Sequence, residues 1–192
     1  MEIGSGRGEF LNACKSFSNI DAIGIEVSED FINFARKKNI TIQKRELDDF
    51  IDKKEKFDFI VLIAVIEHLD NPDKYLNKIQ KLLKKDGVIY IDCPQEPNIV
   101  TILYNFVMKI MGKKNCLNLQ PTWEPFHIYG FNIPSLKKIL AKNNLSIIKY
   151  RIWSPAKPNF KINYKNFVFY FMFYFINYIG NILKLSQNIF LY

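Results

Sequence analysis

The chain has 192 residues, 48% of them apolar and 24% charged, a mix typical of one globular domain that excludes a wholly disordered or collagen-like chain. The net charge is +8, but only four of the 27 basic residues are arginines, and the lysines are scattered rather than clustered as on a dedicated nucleic-acid surface. The three cysteines lack C-x-x-C spacing, and the chain does not open with the basic and apolar pattern of a signal peptide. We therefore expect a cytoplasmic protein without a disulfide framework or a zinc site.

Short apolar runs alternate with amphipathic stretches over the first two-thirds of the chain, which predicts an α/β fold with a doubly wound, mostly parallel sheet. Ser28 is the predicted cap of one helix, and Pro72 stands in the first turn of another. In chain order we predict a helix at 8–17, a strand at 21–25, a helix at 28–38, strands at 40–43 and 57–63, a helix at 72–83 ended by Asp86-Gly87, and a strand at 88–92.

The pattern loosens after Pro94. We predict an apolar helix at 99–111, an irregular stretch at 112–131, a helix at 134–142 and a strand at 145–153. A proline-containing break at 154–158 precedes an aromatic segment at 164–185, and 188–192 is predicted to be a last strand.

A glycine-rich turn, Glu2-Ile-Gly-Ser-Gly-Arg-Gly8, lies between the first predicted strand and the first helix. Glycines are needed where a ligand approaches the backbone closely, although such a turn alone is often only a tight turn. Glu9 stands where the dinucleotide pattern G-x-G-x-x-G requires its third glycine, which disfavours a nicotinamide enzyme. The second strand ends about 20 residues further on at Glu26, where a carboxylate would accept both hydroxyls of a ribose.

Four ordered segments at the ends of predicted strands resemble the class I S-adenosylmethionine-dependent methyltransferases, in particular the small-molecule branch of ubiquinone and surface-sugar methylating enzymes. The segments are E-I-G-S-G-R-G-E-F-L at 2–11, G-I-E-V-S at 24–28, F-D-F-I-V-L-I-A-V-I-E-H-L-D-N-P at 57–72 and L-L-K-K-D-G-V-I-Y-I-D-C-P at 82–94, followed by P-F-H-I-Y-G-F at 125–131. The resemblance covers residues 1–153 and implies a Rossmann-like methyltransferase domain with S-adenosylmethionine as its cofactor.

The resemblance also implies roles for particular residues. The methionine end of the cofactor would be held by the glycine-rich turn, its ribose at the end of the second strand, its adenine after the third strand, and its sulfonium beside the end of the fourth. The residues implied are Glu2, Gly4, Ser5, Gly6 and Gly8; Glu26 and Val27; Glu46 and the backbone of Leu47; and Ile63, Ala64 and Val65. A cationic sulfonium favours nearby carboxylates, so Glu2 suits this cofactor better than a pyrophosphate.

Some of these residues have plainer interpretations. Glu26 could be an ordinary solvated residue before the Ser28 cap. Asp48 and Asp49 compete with Glu46 as the acid near the adenine, and the apolar residues at 63–65 would be apolar in any fold.

The only histidines, His68 and His127, both fall at the expected edges of an active site. The resemblance implies that Glu67 and His68 sit over the methyl group, and either histidine could act as the general base for a hydroxyl acceptor. His68 could instead bond the loop backbone at a helix start, whereas aromatic neighbours of His127 such as Trp123 could wall an acceptor pocket. One carboxylate beside one histidine is a weak metal signal, so no metal is predicted.

The two ends of the chain depart from the expected pattern. Only Met1 precedes Glu2, so we expect a truncated first strand and better cofactor binding by a version extended upstream. Residues 166–183 carry no charge, are rich in Phe and Tyr and are flanked by lysines. This segment could lie in the interface of an anionic membrane, span the bilayer, or pack on the domain or a dimer partner.

We therefore predict a methyltransferase domain at 1–153 with an acceptor-pocket insert at 94–132, followed at 154–192 by an aromatic-rich helical appendage and a last strand. The predicted function is transfer of a methyl group from S-adenosylmethionine to a small-molecule or lipid-linked acceptor, most readily at an oxygen, with peripheral contact of 164–185 with the inner face of the membrane. A catalytically silent cofactor-binding module and, less favoured, an RNA methyltransferase stay open. Acceptor identity and oligomeric state cannot be read from the sequence, since acceptor pockets are built from variable segments.

Overall fold

Seven strands form one sheet in the part of the chain that the computed structural model describes, which comprises residues 1–117, 119, 126–154 and 167–192, with the backbone alone for 167–170. The strands are β1 Glu2–Ile3, β2 Gly24–Ile25, β3 Ile42–Gln43, β4 Phe57–Ile63, β5 Leu83–Pro94, β6 Tyr150–Trp153 and β7 Asn188–Leu191. The helices are α1 Glu9–Cys14, α2 Glu29–Lys37, α3 Leu47–Asp52, α4 Pro72–Leu82, α5 Ile99–Ile110, α6 Ile133–Lys142 and α7 Phe167–Leu183, with a short 3₁₀ turn at Ile66–His68.

The strand order across the sheet is β3-β2-β1-β4-β5-β7-β6. Strands β1 to β5 pair in parallel, whereas β7 pairs antiparallel with both β5 and β6. The chain runs outward from β1 through β2 to β3 and then returns to the other side of β1 as β4. The direction of winding therefore reverses between β1 and β4. Open α/β sheets bind ligands at such a reversal, beyond the carboxyl ends of the strands. The predicted Rossmann-like fold class is confirmed.

Short side-chain caps fix where several helices begin. The Ser28 hydroxyl accepts from the Phe31 N–H at the start of α2, and the Asn71 side chain accepts from the Lys74 N–H ahead of Pro72 in α4. Asn98 caps α5 in the same way. Capping oxygens satisfy backbone donors that the first turn leaves unpaired, so the predicted starts of α2 and α4 are confirmed.

The core lies where β4 and β5 meet α4 and α6. Ile60, Val61 and Leu62 of β4 are buried, whereas Asp58 and Phe59 in its amino half are exposed. The amino group of Met1 donates to the Phe59 carbonyl at 2.8 Å. The strand is therefore covered mainly toward its carboxyl end.

Two local predictions are corrected. Helix α4 ends at Leu82, within one residue of its predicted end, but the next strand begins at Leu83 rather than at 88, because Leu83 already pairs with Phe57 and the ladder resumes, after an irregularity, at Val88. Helix α3 was not predicted, since Leu47 and Phe50 are the only side chains it buries. The strands predicted at 21–25, 40–43 and 145–153 are present but shorter.

The boundary between the methyltransferase domain and the appendage, placed at 153/154, stays a prediction. Residues beyond it contribute to the sheet, because β7 lies between β5 and β6. Within the described residues, no helix has the length and hydropathy needed to cross a bilayer.

Candidate active site

The glycine-rich turn after β1 has a backbone that few other residues could adopt. Gly4, Gly6 and Gly8 have φ values of +67°, +51° and +78°, in the left-handed region that favours glycine. A Cβ on Gly4 would also stand 2.6 Å from Cγ2 of Val65. The turn after β1 therefore packs directly against the turn after β4, as the predicted cofactor site requires.

Glu2 is a buried carboxylate beside this turn. Its side chain is 4% exposed, and its Oε2 atom finds no hydrogen-bond partner among the described residues. Burial raises the pKa of Glu2 to about 7, because the charged form loses its water. A buried carboxylate with one oxygen left unpaired fits a cationic ligand group, such as an ammonium or a sulfonium.

Glu26 is held between the glycine-rich turn and the start of α2. Its carboxylate accepts from the backbone N–H groups of Gly6, Val27 and Ser28 at 2.8, 2.8 and 2.9 Å. The alternative of an ordinary solvated residue is therefore wrong, although the role in ribose binding stays a prediction. Val27 itself is exposed.

Glu46 caps helix α3 in addition to its predicted role near the adenine. Its side chain accepts from the Asp49 N–H while its own N–H donates to Asp49 Oδ2 at 3.2 Å, forming a capping box for α3. Leu47 is buried as the first residue of that helix. The contact of these two residues with an adenine stays a prediction.

The chain makes a sharp turn at the end of β4. Ala64 has a φ of +52°, a conformation that costs a non-glycine residue on the order of 1 kcal/mol, and its N–H donates to the Asp92 carbonyl at 2.9 Å. Backbone strain of this kind concentrates at functional sites. The turn carries the chain from Ile63 into the 3₁₀ turn that holds Glu67 and His68.

Glu67, His68 and His127 come together at this edge of the sheet. The Nε2 atoms of both histidines lie 4.0 Å from Glu67 Oε1, which are ion-pair distances rather than hydrogen bonds, and the two rings meet edge to face with centroids 4.9 Å apart. The backbone fixes the segment of His127, because the N–H groups of Ile128 and Tyr129 donate to the Glu67 carbonyl. The three predicted catalytic residues are thus adjacent, and their catalytic roles stay predictions.

Hydrogen bonding defines which nitrogen of His68 can accept a proton. His68 Nδ1 lies 2.9 Å from the Phe126 carbonyl oxygen, which can only accept. Nδ1 must therefore carry the hydrogen, and in the neutral ring Nε2, the atom that faces Glu67, keeps a free lone pair. The alternative of a histidine that bonds the loop backbone is thus also realised, and the two roles use different nitrogens.

The surroundings of this cluster favour uncharged side chains. Glu67 is completely buried, and neither of its carboxylate oxygens has a hydrogen-bond partner among the described residues. Burial raises the pKa of Glu67, whereas burial and then the neighbouring His68 lower the pKa of His127. Both shifts favour the uncharged forms of Glu67 and His127, and perturbed groups of this kind concentrate at functional sites.

The same three side chains could hold a divalent cation, because one oxygen of Glu67 and one nitrogen of each histidine lie within 4.8 Å of one another. Imidazole and carboxylate groups suit ions such as Zn²⁺ and Mn²⁺. The expectation of a site without metal stays a prediction.

Sequence reasoning missed Asp92, which pairs with Ile63 at the end of the parallel ladder between β4 and β5. Burial raises the pKa of Asp92 to about 6. The same rule that selected Glu26, an acid at the carboxyl end of a parallel strand, could have found it. Trp123, predicted beside the acceptor, lies outside the described residues.

Comparisons with known proteins agree with this geometry. A family model described as "Methyltransferase domain" matches residues 1–150. The ubiquinone biosynthesis O-methyltransferase of Pelagibacter ubique is 29% identical over 162 residues, covering 78% of this chain and 62% of that protein. The chain spans 42% to 62% of the lengths of the first three curated relatives it matches.

Two solved structures share the fold. A SAM-dependent methyltransferase from Archaeoglobus fulgidus superposes with a TM-score of 0.64 at 22% identity, covering 99% of this chain and 82% of the other. PKMT2 from Rickettsia typhi, solved in complex with AdoHcy, has a TM-score of 0.60 at 14% identity and covers 99% of this chain and 47% of the other.

Proposed function

Because the chain belongs to the methyltransferase domain family, we propose that it transfers a methyl group from S-adenosylmethionine to an oxygen of a small-molecule or lipid-linked acceptor. The match over residues 1–150 confirms the family predicted from the sequence, and S-adenosylmethionine is the cofactor that this membership implies. The observation that carries the proposal is the convergence of Glu67, His68 and His127 on the edge of the sheet that also holds the glycine-rich turn.

The residues around the turn fit this cofactor. The buried carboxylate of Glu2, whose Oε2 atom lacks a partner among the described residues, would face a cationic group, and the open space at Gly6, where a Cβ would meet nothing within 4 Å, would let the ligand approach. When bound, S-adenosylmethionine supplies a methyl group on a cationic sulfur, and that sulfur becomes a neutral thioether once the methyl has passed to the acceptor. Glu26, fixed by three backbone N–H groups, would bind the ribose hydroxyls.

The histidines would handle the proton of the acceptor. A hydroxyl must lose its proton as its oxygen forms the new bond to the methyl carbon. His68 Nε2 has the free lone pair needed to take that proton, and Glu67 Oε1 lies 4.0 Å from it. His127 is kept neutral by its buried position and could take the proton in its place.

Oxygen is the acceptor atom that the relatives support. The P. ubique relative and others are named ubiquinone biosynthesis O-methyltransferases, although at 32% identity or less. The exposed aromatic rings of Phe126 and Tyr129 flank His127 in sequence and could receive an apolar or aromatic acceptor. We therefore propose a quinone-like, sugar or other hydroxyl-bearing molecule, free or attached to a lipid.

The test is transfer of a labelled methyl group from S-adenosylmethionine into a cell extract that is then separated into lipid, polysaccharide, RNA and protein. We expect label in the lipid or polysaccharide fraction, or in the small molecules that stay in solution. Label in RNA would identify an RNA methyltransferase, and cofactor binding without label in any fraction would identify a catalytically silent module. Either result would refute the proposal.

Three variants test the proton-handling cluster once the acceptor fraction is known. Glu67→Gln, His68→Asn and His127→Asn should each lower the rate by roughly 10²-fold to 10⁴-fold while cofactor affinity, measured by calorimetry, stays within a factor of about two. Glu29→Gln is the matched control and should keep the full rate, because Glu29 is an exposed carboxylate that pairs with Lys44 and lies far in the sequence from the three cluster residues.

Since the pKa of His127 lies below its usual value of 6.5, any loss of rate caused by its protonation should occur below that pH and be missing in His127→Asn. Full rates in all three variants would contradict the assigned roles.

A further inference from the structure

Helices α5 and α7 expose large apolar side chains to an unusual degree. Phe106 and Ile110 on α5 are 60% and 69% exposed, and Phe171 and Ile182 on α7 are each 63% exposed. Many others on or at the ends of these two helices are exposed as well, namely Ile102, Leu103, Tyr104, Val107, Met111, Met172, Tyr174, Phe175, Tyr178 and Leu183. We call these side chains the α5–α7 apolar face. Apolar exposure on this scale marks an interaction site.

Helix α7 is turned with its polar side toward the protein. Asn177 is completely buried, and its side-chain oxygen accepts from the Ser154 hydroxyl at 2.8 Å and from Gln187 at 3.1 Å. One turn further on, Asn181 accepts from the Ser154 N–H at 3.1 Å, and Gly180 lies so close to Ile99 of α5 that a Cβ would stand 2.8 Å from its Cγ2 atom.

A helix of a water-soluble domain normally buries its apolar side and exposes its polar side. Here the positions 177, 180 and 181 lie on one side at helical spacing, and that side is the buried one. Specific hydrogen bonds from its polar side hold α7 in this orientation. The aromatic side therefore faces outward although the helix is docked on the protein.

Both helices are joined at the edge of the sheet that holds the candidate active site. The Ile99 N–H donates to the Leu185 carbonyl at 2.7 Å, and the Gln95 side chain donates to the Lys184 carbonyl at 3.1 Å. Gln95 in turn pairs with Phe131, which follows the segment of His127. The α5–α7 apolar face thus begins next to the carboxyl end of β5.

The C-terminal half of the sequence, which holds α5 and α7, is strongly basic. Residues 97–192 contain twelve Lys and Arg residues and a single acid, Glu124, whereas residues 1–96 contain fifteen basic and eighteen acidic residues. Lys109, Lys113 and Lys114 lie in or just after α5, and Lys184 follows α7. Such asymmetry between the halves of a chain indicates an anionic partner.

We propose that the α5–α7 apolar face lies on the surface of an anionic lipid bilayer, with Phe, Tyr and aliphatic side chains in the interface and the neighbouring lysines at the headgroups. Aromatic side chains favour the membrane interface, and lysines beside it are attracted to anionic lipids. A second copy of this chain suits the face less well, because it would bring the lysines of both copies together. A nucleic acid would pair with the lysines but leave the aliphatic side chains exposed to water. This proposal does not depend on the proposed methyl transfer.

Flotation with vesicles tests the proposal on the full chain without cofactor. We expect the protein to float with vesicles of phosphatidylcholine containing about a third phosphatidylglycerol and to bind pure phosphatidylcholine at least tenfold more weakly. Since a lysine at an anionic surface contributes about fivefold in binding, Lys113→Gln with Lys114→Gln should weaken binding by at least tenfold. The matched pair Lys137→Gln with Lys138→Gln changes the same charge on exposed positions of α6 and should bind like the parent.

The apolar contribution has its own matched pair. Phe175→Ser should lower binding by about tenfold or more, because it withdraws one ring from the interface, whereas Phe17→Ser, at an equally exposed ring outside the face, should not. Circular dichroism would verify that each variant is folded. Failure to float, or equal binding by the paired variants, would overturn the proposal. A concentration-dependent dimer that Phe175→Ser abolishes, without flotation, would assign the face to a second copy instead.

Discussion

Replacing Glu2 with Gln should make the free protein more stable at high pH and leave its stability unchanged at low pH. Burial raises the pKa of Glu2 from an ordinary 4.5 to about 7. Between those two values the folded protein keeps a proton that the unfolded chain has already lost, so stability falls as the pH rises through this window and the whole penalty is present above it. A shift of this size corresponds to about 3 kcal/mol, since each pKa unit is worth about 1.4 kcal/mol.

Urea unfolding at about pH 5 and about pH 8.5 measures the difference. Glu2→Gln keeps the shape of the side chain but cannot ionise, so it should match the parent at the lower pH and gain about 3 kcal/mol in the free energy of unfolding at the higher one. Asp86→Asn removes a fully exposed carboxylate and should show no such pH-dependent gain. The parent should also bind S-adenosylmethionine more tightly as the pH rises through 7, whereas the variant should not. Equal pH dependence of stability in Glu2→Gln and the parent would refute the reasoning that burial controls this carboxylate.

Two further substitutions test the packing of the site and of α7. Gly4→Ala and Gly112→Ala both place a side chain at positive φ, but a Cβ on Gly4 would meet Val65 at 2.6 Å, whereas a Cβ on Gly112 would meet nothing within 4 Å. Thermal unfolding should show Gly4→Ala to be less stable than Gly112→Ala by at least about 1 kcal/mol, with lost cofactor binding; equal losses would show that the contact is not limiting. Asn177→Leu should cost about 2 to 3 kcal/mol because it leaves buried polar partners unpaired, whereas Tyr178→Leu, one residue on but exposed, should stay within about 0.5 kcal/mol. A cost at Asn177 no larger than at Tyr178 would mean that α7 is not held by its polar side.

The sequence was most informative where one local signal determines the structure. Strand β4 is the clearest example, because the apolar run 57–63, interrupted only by Asp58, has the same bounds in the structure. Ser28 and Pro72 likewise marked helix starts through chemistry that acts within one turn. The order of the motifs identified the family, and with it the edge of the sheet where Glu67, His68 and His127 meet.

The errors arose where distant contacts outweigh local signals. Asp86-Gly87 is typical of a break between a helix and a strand, but pairing of Leu83 with Phe57 places both residues inside β5. Helix α3 buries too few side chains to produce a visible period, and its capping acid Glu46 was interpreted only as a ligand. In α7 the asparagines looked like interruptions of an apolar segment, because only the folded structure shows Ser154 and Gln187 opposite Asn177. The approach of His127 to Glu67, about 60 residues apart in sequence, depends on the whole fold in the same way.

The position of β7 has a consequence for how the protein is made. The strand is the last along the chain, yet it lies between β5 and β6 and pairs with both. During synthesis β1 to β5 can assemble as soon as they emerge, whereas the open edges of β5 and β6 stay without their partner until residues 188–191 have left the ribosome. Unpaired strand edges and pairings between distant segments are the features that slow folding and expose a chain to aggregation. The nascent protein therefore passes through an interval in which the half that carries Glu2 and Glu26 can be formed while the sheet beyond β5 is incomplete, and that interval is when a chaperone would be needed most.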